Sequence, residues 1–266
     1  GSCFSMGSKR VSGPLSNSTT HHTVTSSLMP IETSQGTTSA PQPLSLSPPK
    51  ISLPPVPGLE FFDLINGQPA HNYRYQGRWV RHSITKVVNT KTPEEMERIF
   101  AHRSDWEPRG NFVHNALHLY VTEGDHGDQG DYSEWITPLC KHWMWGSYEP
   151  IASELLMVDS RYDIAGACDL ILQDVETGEL VMADLKTQSS QSSRPRDISP
   201  QLGGYINLFD LCYPEHAGKV TKGIAIWCKP GETTLTTYEG ENCLTNYYAL
   251  RNRYLEQLPE NILATS

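Results

Sequence analysis

The fold is decided by the stretch Leu180-Val181-Met182-Ala183-Asp184-Leu185-Lys186. An apolar run that ends in a carboxylate and an amine is typical of a buried β-strand with charged groups at its end. Because side chains alternate along a strand, Asp184 and Lys186 are predicted to project from one face, while Ala183 and Leu185 point into the core. Buried charges need partners, since an unpaired charge is costly to desolvate. We therefore expect a polar site at this strand end.

A second apolar strand, Ile164 to Leu172, precedes this stretch and contains Asp169. The polar segment 174–179 between the two strands has the composition of a turn, so the strands are predicted to pair as a hairpin. In such a hairpin Asp169 would lie within metal-bridging distance of Asp184. Two facing carboxylates repel each other unless one is protonated or a cation lies between them. Mg²⁺ and Mn²⁺ are the divalent ions that suit oxygen ligands of this kind.

These residues have the chemistry that phosphodiester hydrolysis requires. A bound divalent ion lowers the pKa of a water ligand, and Lys186 would orient that water or stabilise the developing oxyanion. A hairpin with an Asp near its end and a solvent-facing Lys is also common in proteins without a site. The small residues Ala165-Gly166-Ala167 leave space before Asp169, which favours the site.

Helices are predicted on both sides of these strands, which indicates an α/β domain with a mixed central sheet. Thr92-Pro93-Glu94-Glu95 has the pattern of a capping box and begins one helix. A second helix is predicted from about Arg109 to Thr122, with an apolar stripe of Phe112, Ala116, Leu119 and Tyr120. The other predicted elements are a hairpin over 73–81, helical residues over 132–145, an apolar run over 151–158 that contains Glu154, a helix over 199–212, strands over 222–228 and 233–238, and a helix over 241–258.

The composition divides the chain. Residues 1–57 are rich in Ser, Thr, Pro and Gln, which predicts a disordered tail, whereas residues 58–266 are predicted to form the folded domain. No run of about 18 apolar residues is present, so no membrane segment is expected. The six cysteines are scattered and include no CxxC pair, which favours a reduced intracellular setting, either cytoplasmic or organellar.

The formal net charge of -9 counts against a large nonspecific DNA-binding surface. A short basic groove can still be local. The loop 188–200 follows the Asp184 strand directly and carries Arg194 and Arg196 among serines. We interpret these residues either as a solvated loop or as a clamp on a phosphate backbone, to which arginine makes two-pronged contacts.

The motifs occur in an order that is found in one nuclease family. Glu154, Ala165-Gly166-Ala167-Cys168-Asp169, Ala183-Asp184-Leu185-Lys186-Thr187 and Gln201-Leu202-Gly203-Gly204-Tyr205 look like the E, GxxD, (D/E)xK and QxxxY series. Arg109-Gly110-Asn111-Phe112-Val113-His114 resembles the "RGtxxH" helix that precedes this series. In these motifs the chain resembles RecB-like PD-(D/E)XK nucleases, a group that includes the mitochondrial genome maintenance exonuclease and phage-type exonucleases. The resemblance covers roughly residues 72–258 and implies a restriction-endonuclease-like core.

The resemblance also implies roles for individual residues. Asp169, Asp184 and the carbonyl of Leu185 would ligate Mg²⁺ or Mn²⁺, Glu154 would bind the metal or water, and Lys186 would assist catalysis. Gln201 and Tyr205, one helical turn apart on one face, would reach the site or the DNA; packing residues are the alternative for both. Arg109 would contact DNA together with Arg194 and Arg196.

His114 matches the metal-binding histidine of the family, although its position also fits an ordinary residue on the side of a helix. One turn later the relatives often carry a carboxylate, whereas this chain has His118. The His114–His118 spacing could also indicate a zinc site, but no third zinc ligand is evident. Cys212, Cys228 and Cys243 are spaced too widely for an iron-sulphur cluster, so none is expected.

The sequence therefore predicts a DNA exonuclease that acts on single strands or DNA ends in processing, repair or recombination. One alternative is a structure-specific or restriction-like endonuclease with the same site. The other is a binding module that keeps the fold and has lost turnover. No P-loop is present, so an ATP-driven motor would have to be another chain.

Overall fold

A computed structural model of the chain describes residues 51–66 and 68–259, all within the compact unit Leu46–Ser266. The strands are β1 (Leu59–Ile65), β2 (Gln68–Tyr75), β3 (Arg78–Trp79), β4 (His82–Ser83), β5 (Tyr148–Asp159), β6 (Ile164–Asp174), β7 (Leu180–Thr187), β8 (Val220–Lys229) and β9 (Glu232–Glu239). The α-helices are α1 (Ile84–Val87), α2 (Pro93–Ala101), α3 (Arg103–Glu123), α4 (Ser133–Cys140), α5 (Ser199–Cys212) and α6 (Gly240–Glu256).

The central sheet is mixed and has six strands. Its strand β6 pairs antiparallel with β5 on one side and with β7 on the other, while β4 pairs parallel with its first residues. Strand β7 runs parallel to β8, and β8 is antiparallel to β9. A parallel pair needs a crossover connection, which α5 supplies between β7 and β8. Strands β1, β2 and β3 form a separate antiparallel sheet.

Both faces of β7 are covered, as its nearly continuous apolar sequence requires. Val181, Ala183 and Leu185 pack in the cluster formed with α3 and α4. Leu180 and Met182 pack in the opposite cluster, to which α5 and α6 contribute. The structure therefore confirms an α/β fold with a mixed sheet flanked by helices.

Helix α2 begins as predicted. Thr92 Oγ1 accepts a hydrogen bond from the Glu95 N–H at 3.2 Å, and Glu95 Oε2 accepts one from the Thr92 N–H at 2.8 Å. This reciprocal pair satisfies two N–H groups that have no partner within the helix.

The prediction for α3 was wrong in its start and in its buried face. The helix begins at Arg103 and continues through Pro108, although an internal proline usually marks a boundary. The residues buried on it are Arg109, Val113, Ala116 and Leu117, so only Ala116 of the predicted stripe belongs to the buried face. Phe112 and Tyr120 lie at the margin and make ring contacts with aromatic residues outside the helix. Strand β1 was not predicted.

The boundary predicted at residue 58 also needs correction. Ile51, Leu53 and Val56 pack against the core, and the Tyr213 hydroxyl donates a hydrogen bond to the Pro54 carbonyl at 2.7 Å. These apolar residues are few, but their packing is enough to anchor the segment. Residues 1–50 of the predicted tail lie outside the described residues. No helix in the described part of the chain is both long and apolar enough to cross a membrane.

Candidate active site

Strand register brings the three predicted carboxylates together. The pair Leu170–Ala183 ends the ladder between β6 and β7, so Asp169 and Asp184 are the next residues along, where the strands separate. On the other side of β6, the pairs Ser153–Leu170 and Leu155–Cys168 place Glu154 opposite Asp169. The carboxylates therefore come from three adjacent strands, at the point where β7 separates from β6.

Asp169 stands where the ladder between β6 and β7 stops. Its Oδ2 accepts a hydrogen bond from the Leu185 N–H at 2.6 Å, which replaces a backbone partner for that group. Its Oδ1 lies 3.4 Å from His114 Nδ1 on α3. Burial favours the neutral acid, but His114, Lys186 and the Leu185 N–H outweigh it, so the pKa of Asp169 is lowered. Burial likewise opposes protonation of His114, yet the Asp169 carboxylate raises the pKa of that imidazole overall.

Glu154 has an unusual backbone conformation. Its φ of 53° lies in the left-handed region, which costs energy for a residue with a Cβ. Its side chain remains exposed at the mouth of the site. Partial desolvation and repulsion from Asp169 raise the pKa of Glu154 to about 7, although His114 opposes this shift. The carboxylates thus stand closer to one another than their charges favour.

Asp184 is almost fully buried, with 1% exposure, and is held by two side chains. Its Oδ2 lies 2.5 Å from Lys186 Nζ on the same strand face. Gln201 Nε2, on α5, points at Asp184 Oδ1 over 3.4 Å and donates to the Tyr205 hydroxyl at 2.9 Å. Burial and Asp169 raise the pKa of Asp184 to about 6, against the opposing effect of Lys186.

The donor atoms of His114, Glu154 and Asp169 form a group that fits a cation. All of them lie within 4.8 Å of one another. One imidazole and two carboxylates are a ligand set that divalent transition ions accept. The donor chemistry and the mutual repulsion of the acids therefore both fit a bound divalent ion.

His118 does not belong to this group. Its Nδ1 lies 2.9 Å from Ser153 Oγ, next to Glu154. Among the described residues, the converging donor atoms come from His114, Glu154 and Asp169, so His114 and His118 do not form the alternative zinc pair.

Comparison with known proteins leaves the family of this chain open. No family model matches it, and no curated protein matches it. Eighteen chains of solved structures are similar to it. One of them, titled "Crystal structure of SSO0001", is 16% identical, covers 67% of this chain and 76% of its own, and has a TM-score of 0.36. A likeness at this level establishes neither fold nor function.

The predicted DNA-contacting arginines occupy two different environments. Arg194 and Arg196 are exposed on the loop between β7 and α5. Arg109 is only 9% exposed. Its guanidinium lies 5.6 Å from the Trp135 ring, and Trp135 donates to the Gln188 carbonyl at the start of that loop. Arg109 is therefore enclosed rather than presented to solvent, because α3 buries it against Trp135.

Two contributors to the site were missed by sequence reasoning. Tyr73, from the small sheet, is buried beside the acids, and burial together with Glu154 and Asp169 raises its pKa. Gly166 makes room for Tyr205, since a Cβ there would lie 2.9 Å from Cε1 of that ring. The small residues before Asp169 pointed to this space, whereas nothing local links Tyr73 to a strand of another sheet.

Proposed function

We propose that this chain is a metal-dependent nuclease that hydrolyses phosphodiester bonds in DNA. The observation that supports the proposal is the convergence of His114, Glu154 and Asp169 within 4.8 Å, beside the ion pair of Asp184 and Lys186. A purely structural role gives no reason to gather three acids where β6 and β7 separate. It also gives no reason to hold one of them in a strained backbone conformation.

His114, Glu154 and Asp169 would hold the ion, with Asp184 and the Leu185 carbonyl as further ligands from β7. A bound ion supplies a water of lowered pKa and offsets charge on the phosphate. Lys186 is placed to orient that water or to stabilise the oxyanion. Gln201 and Tyr205 keep Asp184 directed along the strand face. The nitrogen donor of His114 favours Mn²⁺ over Mg²⁺.

Membership of the PD-(D/E)XK superfamily with a restriction-endonuclease-like core is part of the proposal. It rests on the ordered motifs and on a mixed sheet with helices on both faces. DNA as the substrate rests on the same resemblance and on the exposed Arg194 and Arg196 in the loop that leaves the Lys186 strand. Digestion from ends is our first choice, an endonuclease with the same site the second, and a silent binding module the third.

One assay separates these three functions. The purified full chain is incubated with end-labelled linear DNA, single- or double-stranded, and with closed circular DNA, with and without Mn²⁺. The proposal predicts Mn²⁺-dependent loss of linear DNA while circles persist. Cleavage of the circles would indicate an endonuclease. Intact DNA of every form would contradict nuclease activity and favour the binding module.

A further inference from the structure

A second feature of the described structure is an open groove between α2 and α3. It has a volume of about 480 Å³ and is lined by Lys91, Glu95, Arg98, Ile99, His102 and Trp106. The indole N–H of Trp106 donates to the Ile99 carbonyl at 3.1 Å, which fixes the ring in the groove. The groove therefore combines cations with an aromatic ring held in place.

The basic residues that line this groove differ in their partners. His102 pairs with Asp105, whereas within the described residues neither Lys91 nor Arg98 forms an ion pair. The single acid in the lining, Glu95, uses its carboxylate in the capping box of α2. Burial and the nearby positive charge of Arg196 lower the pKa of Lys91, against the opposing effect of Glu95, so the loop after β7 brings another cation to this side. Lys91, Arg98 and Arg196 thus form a local group of basic side chains in a chain of net charge -9, although α2 also carries the exposed acids Glu94 and Glu97.

Helix α3 connects the groove with the candidate active site. Trp106, Gly110 and His114 follow at intervals of four residues and so lie along one side of the helix. A Cβ at Gly110 would lie 4.0 Å from Thr187 Oγ1, so α3 passes close to the end of β7 there. Two helical turns rise about 11 Å. Phosphates of a stacked strand follow every 3.4 Å or so, which makes this distance on the order of three nucleotides.

We propose that the groove of Lys91, Arg98 and Trp106 is a binding subsite for single-stranded polynucleotide, on the strand whose other part occupies the metal site. Lys91, Arg98 and Arg196 pair with phosphates, and Trp106 offers a face for a base. Stacking on an aromatic ring between cations is how single strands are bound without sequence preference. This proposal rests on the proposed function only in that the bound strand is cleaved at the metal site, because binding to the groove needs no cleavage.

The test is binding of labelled oligothymidylates of three, eight and twenty nucleotides to the full chain in EDTA at low salt. The parent is expected to bind the eight-nucleotide strand much more tightly than the three-nucleotide strand. In the double variant Lys91→Gln/Arg98→Gln, the gain in affinity from three to eight nucleotides is expected to fall by about tenfold or more. The slope of log affinity against log salt falls by about 0.7 for each lost contact. Both side chains are exposed, so the melting temperature is expected to stay unchanged.

The control is Lys219→Gln/Lys222→Gln, which removes the same charge where β8 begins, at the end of the β7–β8 pair away from Thr187, and also breaks the ion pair of Lys222 with Glu179. This control is expected to bind like the parent. Equal losses in both double variants, or no loss in the groove variant, would overturn the proposed subsite. A different result would separate the two proposals. If the parent shows length-dependent binding that the groove variant loses, but cuts no DNA with Mn²⁺, the binding subsite is supported and the proposed nuclease activity is refuted.

Discussion

At the scale of single residues, the site is assembled from side chains that replace ordinary backbone partners. Asp169 accepts the Leu185 N–H at the point where two strands part, and Glu154 occupies a left-handed conformation opposite it. Strain of this kind persists only where the surrounding structure fixes it. A cation-binding role explains why this strained residue lies beside the carboxylates of Asp169 and Asp184.

The two histidines of α3 should differ in their effect on metal binding. His114 Nδ1 lies 3.4 Å from Asp169 Oδ1, whereas His118 Nδ1 lies 2.9 Å from Ser153 Oγ. We predict that His114→Ala loses most Mn²⁺ affinity, by tenfold or more, and that the parent prefers Mn²⁺ to Mg²⁺. His118→Ala acts through Ser153 alone and should change Mn²⁺ affinity much less. Calorimetric titration of both variants measures this, and unchanged affinity in the His114 variant would return that residue to a structural role.

The carboxylates and Lys186 could be predicted because strand alternation and a short hairpin are local rules. The turn between β6 and β7 agrees with the predicted hairpin. Asp174 Oδ1 accepts hydrogen bonds from the Glu176 and Thr177 N–H groups and so closes the connection. The left-handed backbone of Glu154 and the contact of His118 with Ser153 were not predictable. They depend on how α3 packs on the sheet, and the buried face of α3 is set by tertiary contacts rather than by its own apolar pattern.

At the scale of elements, α5 is positioned by glycines as much as by apolar side chains. A Cβ at Gly203 would lie 1.9 Å from the Cys243 carbonyl oxygen on α6, so the two helices touch through their backbones. This contact fixes the helix that carries Gln201 and Tyr205. The QxxxY segment thus has a packing function in addition to the proposed role in the site.

Gly203→Ala is therefore expected to separate α5 from α6. Overpacking of this kind lowers the free energy of unfolding by about 1–3 kcal/mol, and a backbone carbonyl moves aside less readily than a side chain. Gly146→Ala is the control, because nothing lies within 4 Å of a Cβ there. Thermal unfolding of the two variants decides the matter. Equal melting temperatures would show that the close approach is not required.

At the scale of the whole molecule, the packed domain includes residues that composition alone assigned to a tail. Ile51, Leu53 and Val56 stand in a polar, proline-rich context, yet they pack against the core. Composition is an average over a stretch of sequence, so it misses a few separated apolar residues that pack against the core. The mixed sheet and its helices, in contrast, followed from long periodic segments and were predicted well.

A chain that begins at Gly58 is predicted to unfold more easily than one that begins at Ile51. It loses three partly buried apolar side chains and the Tyr213 hydrogen bond to Pro54, together on the order of a few kcal/mol. The composition of residues 1–50 predicts that the chain from Ile51 melts like the full chain. Denaturant unfolding of all three chains compares them. Equal stability of the two shortened chains would show that the packing of residues 51–57 contributes nothing.

We propose above that Asp184 at the end of β7 and the neighbouring acids form a hydrolytic metal site. The most direct test is the initial rate of Mn²⁺-dependent DNA cleavage by Asp184→Asn beside Asp210→Asn, in which the asparagine can still accept the Gly218 N–H. The site predicts that Asp184→Asn loses on the order of 10² to 10³ in rate or more while keeping its melting temperature, and that Asp210→Asn cuts like the parent. Cleavage by Asp184→Asn at the parent rate would contradict the site.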